Sequence, residues 1–441
     1  MTTFDLHASR RARLLAQLAP NSTVLVAANH EVVRSRDTDY PFRQHSDFWY
    51  LTGFPEPDAW LILEKRVDGS TKELLLCRDK DPVAEVWQGR RFGPDKASQV
   101  FGLPAASLTE LDDALHSACN GQTQVYYALG EQAFVESQVQ QVLANLRAAP
   151  KKGFVAPTVL CDVRPLLGEM RLIKDAHEQS VMARAGKISA EAHLSAMQQC
   201  RPGMFEYQLE AIILQHFAMQ GARYPAYNTI VGGGENGCIL HYTDNQDRLR
   251  AGDLVLIDAG CELEGYAADI TRTFPVSGKF SAEQAAIYQV VLNAQYAACA
   301  AVKPGNSSKD TLAAAMLELT KGLLELGILD GDLPELIEQQ AAKQYFIHGL
   351  GHWLGLDVHD VGAYKLDGSE RPFVEGMVLT IEPGLYIPAG SPCAEKWWDI
   401  AVRIEDDLLV IKDGHVNLTD TVPKDIAAIE ALMAQALAQT P

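Results

Sequence analysis

The second half of this chain repeats itself. A helical pattern from about Asp175 to Gln199 stops at Arg201-Pro202-Gly203, and a second runs from about Phe205 to Gln220. Further on, a pattern from Ala282 to Val302 stops at Lys303-Pro304-Gly305, and another runs from Lys309 to Leu326. Proline removes a backbone donor and crowds the preceding turn, and the glycine after it lets the chain reverse, so both breaks share one cause. Each helix pair is followed by apolar, β-forming segments that carry two acids, Asp258 and Asp269 first, then Glu382 and Glu405. The simplest account is two similar half-domains, each giving one carboxylate pair to a site between them.

Residues 1–172 follow a different pattern. Helical periodicity over Arg10–Leu18 and Glu131–Leu146 alternates with buried-strand runs at Thr23–Ala27, Trp60–Leu63 and Glu73–Leu76. That alternation predicts an α/β domain with a mixed sheet. A chain of 441 residues exceeds one ordinary core. The boundary is placed near Leu172-Ile173-Lys174-Asp175, where the long helical pattern begins, leaving 173–441 as the second domain.

Bulk properties exclude several functions. The net charge of −19 repels phosphate backbones and anionic surfaces, so no nucleic-acid or membrane partner is expected. No run approaches the roughly 18 apolar residues of a membrane span, and Met1–Asp5 does not open a signal peptide. The eight cysteines form no Cys-x-x-Cys pair and read as free thiols of a reducing compartment, which makes the expected location cytoplasmic.

Five short segments supply ligand-type side chains: Asp258, Asp269, His352, Glu382 and Glu405. Four carboxylates and an imidazole exceed what one divalent ion needs and suit two ions that share carboxylates and activate a water for hydrolysis. Asp258 ends an aliphatic run, where a lone buried carboxylate is costly unless paired or metal-bound. A hairpin reversing between Leu263 and Glu264 would set Asp258 opposite Asp269, with facing β-carbons roughly 4.5–5.5 Å apart. The plain alternative is two acids on a solvent face.

Three of the twelve histidines, His348, His352 and His359, fall in one short segment. Gly-Leu-Gly separates the first two, with no glutamate after His348, so this is not the helical H-E-x-x-H zinc motif. Arg403 sits two residues before Glu405, on the same face of a strand. It could hold a ligand carboxylate, anchor a substrate carbonyl or make a structural ion pair. The Gly232–Gly237 run matches a dinucleotide-binding spacing, but no convincing helix follows it. A glycine loop that delivers His241 to the site is the better reading.

In this order the motifs resemble the proline-peptidase branch of the pita-bread metallopeptidases, most closely the bacterial Xaa-Pro aminopeptidase (aminopeptidase P) family, over essentially the whole chain. Supporting stretches are Tyr40–Gln44, Ser46–Tyr50, Arg223–Ile230 and the histidine-rich segment. The resemblance implies an α+β pita-bread catalytic domain of two similar halves behind the α/β N-terminal domain. It also implies two Mn²⁺ ions, other divalent metals being possible, held by Asp258, Asp269, His352, Glu382 and Glu405. A carboxylate-rich site independently suits manganese. A bridging hydroxide would attack the scissile carbonyl, Glu382 would shuttle the proton, and His359 and His241 would stabilise the tetrahedral intermediate. His348, Tyr227 and Arg403 are implied as pocket or supporting residues, and Trp87 and Asp37 as N-terminal-domain positions near the active site, reaching across subunits of a homotetramer. A core tryptophan and a helix-cap aspartate are the plain readings of those two.

The implied activity is removal of the first residue from peptides with proline second. A prolidase acting on X-Pro dipeptides would use the same metal site, and a non-catalytic pita-bread binding module is the alternative from another class. One departure from the family stands out: Trp397 and Trp398 precede Arg403, where they could alter the pocket rim.

Overall fold

The strand Ser22–Ala27 is buried at every position, so it needs partners on both edges and cover on both faces. The computed structural model, which describes residues 3–438, supplies them. Ser22–Ala27 pairs antiparallel with Trp60–Lys65 and parallel with Gln124–Tyr127. The sheet is completed by Thr71–Cys77 and Ala105–Ser107 on one side and Val159–Asp162 on the other, and is therefore mixed. Leu25, Trp60, Ile62 and Tyr127 pack against Val139, Leu143 and Leu146 of helix Ala133–Ala148. This sheet belongs to one compact unit, Met1–Met170; Arg171–Pro441 forms the other.

In the second unit the repeat is visible in three dimensions. Helix Ala176–Gln199 starts at a capping box: Asp175 accepts the amides of His177 and Glu178, and Glu178 accepts that of Asp175. It packs against Glu206–Met219 beyond the Pro202-Gly203 break. The second copy pairs Ala282–Ala301 with Ser308–Glu325, again each behind a capping box. Antiparallel strands follow each pair: Ile230–Gly233, Leu254–Asp258 and Thr271–Pro275 after the first, Val378–Ile381 and Asp406–Ile411 after the second. The two sets meet along one seam. There the Glu405 amide donates to the Thr271 carbonyl at 3.1 Å, and the Thr273 hydroxyl donates to the Arg403 carbonyl at 3.1 Å.

The hairpin between Asp258 and Asp269 departs from the sequence reading. Leu263 pairs with Tyr266 and Asp258 with Thr271, so the reversal lies between Glu264 and Gly265, one residue later than expected. Both turn residues have positive φ, 53° and 88°, the mirror-image turn that matches strand twist and favours glycine second. Asp258 therefore does not face Asp269. The paired position moves by two residues, which preserves the face, and Asp269 falls where the ladder is interrupted before Thr271. At that interruption Ala259 donates to Ile270 and Ala268 to Cys261.

Gly260 makes the interruption possible, because a Cβ there would stand 1.7 Å from the Ala268 carbonyl oxygen. Gly260→Ala should therefore cost about 2–4 kcal/mol, read as a lower urea midpoint at unchanged m-value.

Candidate active site

All four acids sit at strand ends or breaks along the seam, where backbone pairing stops and side chains can turn inward. Asp258 closes Leu254–Asp258, Glu382 follows Val378–Ile381, and Glu405 follows Ile400–Arg403. His352 comes from an irregular segment laid beside Val378–Ile381: Thr380 donates to the His352 carbonyl at 2.9 Å and Glu382 to that of Leu350 at 2.8 Å. Gly351 permits this approach, since a Cβ there would lie 2.0 Å from the Thr380 oxygen. Together these residues line a cavity of about 370 Å³ with His241, His348, His359 and Arg403.

Asp269 is the centre of the cluster. Its Oδ1 accepts from the Tyr227 hydroxyl at 2.6 Å, and the same hydroxyl lies 2.6 Å from Asp258 Oδ1. Its Oδ2 faces His352 Nε2 at 3.4 Å, and that nitrogen is 3.7 Å from Glu382 Oε1. Ligand atoms of Asp269, His352 and Glu405 all lie within 4.8 Å of one another. His352 Nδ1 is 3.0 Å from the Trp353 carbonyl, which can only accept, so Nδ1 carries the proton in the neutral ring and Nε2 offers its lone pair to the cluster.

The donor set fits a metal. Burial pushes Glu405 well above the carboxylate range and Glu382 up to about 7. Burial raises Asp269 too, and its neighbour Asp258 adds repulsion. These are the penalties of crowding carboxylates in a desolvated volume, and cations bound among them would remove the penalty. Among the described residues, Arg403 is the one guanidinium or ammonium group on the cavity wall. Its Nη2 donates to Asp258 Oδ2 at 2.7 Å, its Nη1 to the Tyr386 hydroxyl at 2.8 Å and its Nε to Thr271 Oγ1 at 3.1 Å. Thr271 in turn donates to Glu405 Oε2 at 2.6 Å, so one arginine orients ligand-type acids from both halves. Burial pushes His348 down to about 4, leaving it neutral. Its Nδ1 faces the Gly349 carbonyl at 2.7 Å and its Nε2 the Tyr386 hydroxyl at 2.8 Å. Burial also lowers His359, whose ring centroid is 4.1 Å from that of His352.

Tyr386 and Thr271 were not singled out from the sequence; Tyr386 lies on a separate strand, Gly384–Ile387, beyond the break after Ile381, so no spacing along one strand links it to Glu382. The glycine run at 232–237 is a strand end, Ile230–Gly233, continued by one short 3₁₀ turn, with His241 just beyond it on the cavity wall. Trp397 is buried and Trp398 donates to the Ser391 carbonyl; neither is among the residues that line this cavity. Trp87 and Asp37 belong to the N-terminal unit. Trp87 is 84% exposed on helix Pro82–Gln88 and is no core residue. Asp37, with φ of 64°, forms the turn between Val33–Ser35 and Thr38–Asp39 and caps no helix.

A two-fold repeat that gathers buried acids and a histidine around a peptide-sized cleft defines a class of metal-dependent hydrolase. Residues 180–412 match metallopeptidase family M24 and residues 7–126 match the aminopeptidase P N-terminal domain, so the chain belongs to family M24, with the pita-bread catalytic fold. It is 49% identical over 431 residues to the Xaa-Pro aminopeptidase of Escherichia coli (strain K12), covering 98% of each chain. Among solved structures it is similar to proline aminopeptidase P II from Yersinia pestis, with 49% identity and a TM-score of 0.97 over 98% of this chain and 100% of that one. A zinc-substituted Escherichia coli aminopeptidase P in complex with product gives 48% identity and a TM-score of 0.97 over 99% of both chains.

An acid with a higher pKa folded than unfolded holds its proton more tightly in the folded state, so its stabilising contribution falls as pH rises between the two values. For Glu382 that interval runs from 4.5 to about 7. Metal-stripped protein should therefore lose thermal stability over this interval relative to Glu382→Gln, and saturating Mn²⁺ should abolish the difference. Thermal unfolding at pH 5 and pH 7.5, with and without metal, checks this.

Proposed function

We propose that this chain is a dinuclear manganese aminopeptidase that removes the first residue from peptides whose second residue is proline. The observation that carries this reading is the two-sided placement of Asp269, one oxygen beside the Tyr227–Asp258 group and the other beside His352. Asp269, with Asp258, His352, Glu382 and Glu405, would hold the ions. The hard oxygen donors favour manganese. When bound, the ions supply a water activated for attack and polarise the scissile carbonyl.

The chain's own groups do the rest. Glu382 takes the proton of the attacking water and returns it to the proline nitrogen as the C–N bond breaks. His359, whose pKa partial burial and the neighbouring His352 lower, and His241 offer N–H donors to the oxygen on which charge develops. Arg403 and Tyr227 fix Asp258 and Asp269, and His348 with Tyr386 forms the neighbouring wall. The X-Pro bond is a tertiary amide without an N–H, so recognition rests on ring shape and on donors to the carbonyl, which this histidine-lined cleft provides.

Trp87 and Asp37 would complete the cleft from a neighbouring subunit of a homotetramer. The exposure of Trp87 and of Val83 and Val86 beside it suits such a contact. The chain is read as cytoplasmic; among the described residues no helix is long and apolar enough to cross a membrane.

Metal-stripped protein re-supplied with Mn²⁺ should cleave Arg-Pro-Pro at least as fast as Gly-Pro, followed by release of the first residue. Cleavage of the dipeptide alone would make it a prolidase, and cleavage of neither would overturn the enzymatic reading. Glu382→Gln should lower kcat about 10²–10⁴-fold while the protein remains folded by circular dichroism.

A further inference from the structure

His241, like His359, differs from the other two histidines of the cavity. His348 and His352 are each held by hydrogen bonds, whereas among the described residues no hydrogen bond holds the His241 ring, which is exposed at the cavity wall. Its position is therefore set by its backbone. That backbone belongs to an irregular excursion that leaves the sheet at Gly233 and returns near Asp247, with no regular element beyond one short 3₁₀ turn, Gly234–Cys238.

Both arms of the excursion end on one side chain. Glu206, the first residue of helix Glu206–Met219, is fully buried. Its Oε1 accepts from the Gly233 amide at 2.8 Å and from Asn236 Nδ2 at 3.0 Å, on the outgoing arm. Its Oε2 accepts from the Tyr242 hydroxyl at 2.9 Å and from the Asp247 amide at 2.8 Å, on the returning arm. The Glu206 amide closes the ring by donating to the Asp247 carbonyl at 3.0 Å. These four donors carry no charge; they and the first turn of the helix stabilise a carboxylate in a buried site. His241 is the residue immediately before Tyr242, whose ring also packs with Ile230, Leu256 and Tyr386 in a small apolar cluster. We propose that Glu206 is the positioning residue for His241, a carboxylate clamp that fixes where the imidazole meets substrate while touching neither substrate nor metal ligands itself. The kinetic part of this proposal rests on the reading of His241 as an active-site donor; the positional part does not.

Glutamine at 206 keeps the shape but turns one acceptor into a donor. Whichever way the amide lies, its NH₂ faces a backbone N–H, of Gly233 or Asp247, that cannot reverse to accept. The excursion should relax and carry His241 with it. Glu206→Gln, His241→Ala and the double variant are to be compared on Arg-Pro-Pro in the Mn²⁺-loaded protein, with metal content and urea midpoint measured alongside and a crystal structure of Glu206→Gln. Displacing a catalytic group by about 1 Å can cost about 10²-fold in rate, so Glu206→Gln should lower kcat by up to that factor at unchanged metal content. The same change should have no further effect in the His241→Ala background, and the His241 ring should be shifted in the crystal. Equal losses in both backgrounds, or an unmoved ring, would overturn the proposal. If His241→Ala leaves kcat intact, its catalytic reading fails and the ring displacement alone decides the clamp. Should Glu206→Gln not fold, Tyr242→Phe removes one of the four bonds and keeps the ring: a shifted His241 with a few-fold loss supports the clamp, and an unmoved ring with unchanged kcat refutes it.

Discussion

Carboxylates crowded on the wall of one cavity are the constraint on which the catalytic unit depends. Asp269, Glu382 and Glu405 are all raised by burial, and among the described residues one guanidinium, that of Arg403, lines the cavity. A chain cannot assemble such a site by local folding, because each acid would rather stay hydrated. The unit overcomes this by anchoring every acid to a rigid strand whose own burial is favourable. Leu254–Ile257 and Val378–Ile381 are buried throughout, and each carries its acid at the end or immediately after it.

The duplication makes that economical. Each half is built as helices on strands, and only their meeting creates the acidic volume. The seam is stitched by groups that also orient ligand-type side chains: Thr271 and Arg403, contributed by opposite halves, hold Glu405 and Asp258 respectively, and each bonds the other. Glycines serve the same end. Gly260 and Gly351 stand where a second backbone passes too close for any side chain, so Asp269 and His352 reach the site without bending the strands beside them.

Much of this was legible in the sequence because its causes are local. Pro202-Gly203 and Pro304-Gly305 end helices wherever they occur, and Asp175 and Ser281 start them through bonds to amides two or three residues on. The mixed sheet of the first unit followed from runs such as Thr23–Ala27 that are apolar without alternation. The hairpin after Asp258 reverses one residue later than the centre of Glu262–Gly265, because Glu264 and Gly265 are its two positive-φ residues and Gly265 lies second.

What the sequence alone determined was the list of elements, their repetition and the family of chemistry, since propensity, punctuation and ligand type are properties of short segments. The tertiary structure alone decided which oxygen of Asp269 faces which neighbour, that Tyr386 joins His348 to Arg403, and that Glu206 holds both arms of the His241 segment. Each of these joins residues far apart in the chain. Such a contact exists only after packing has removed water from both partners, and no pattern along one segment encodes the other.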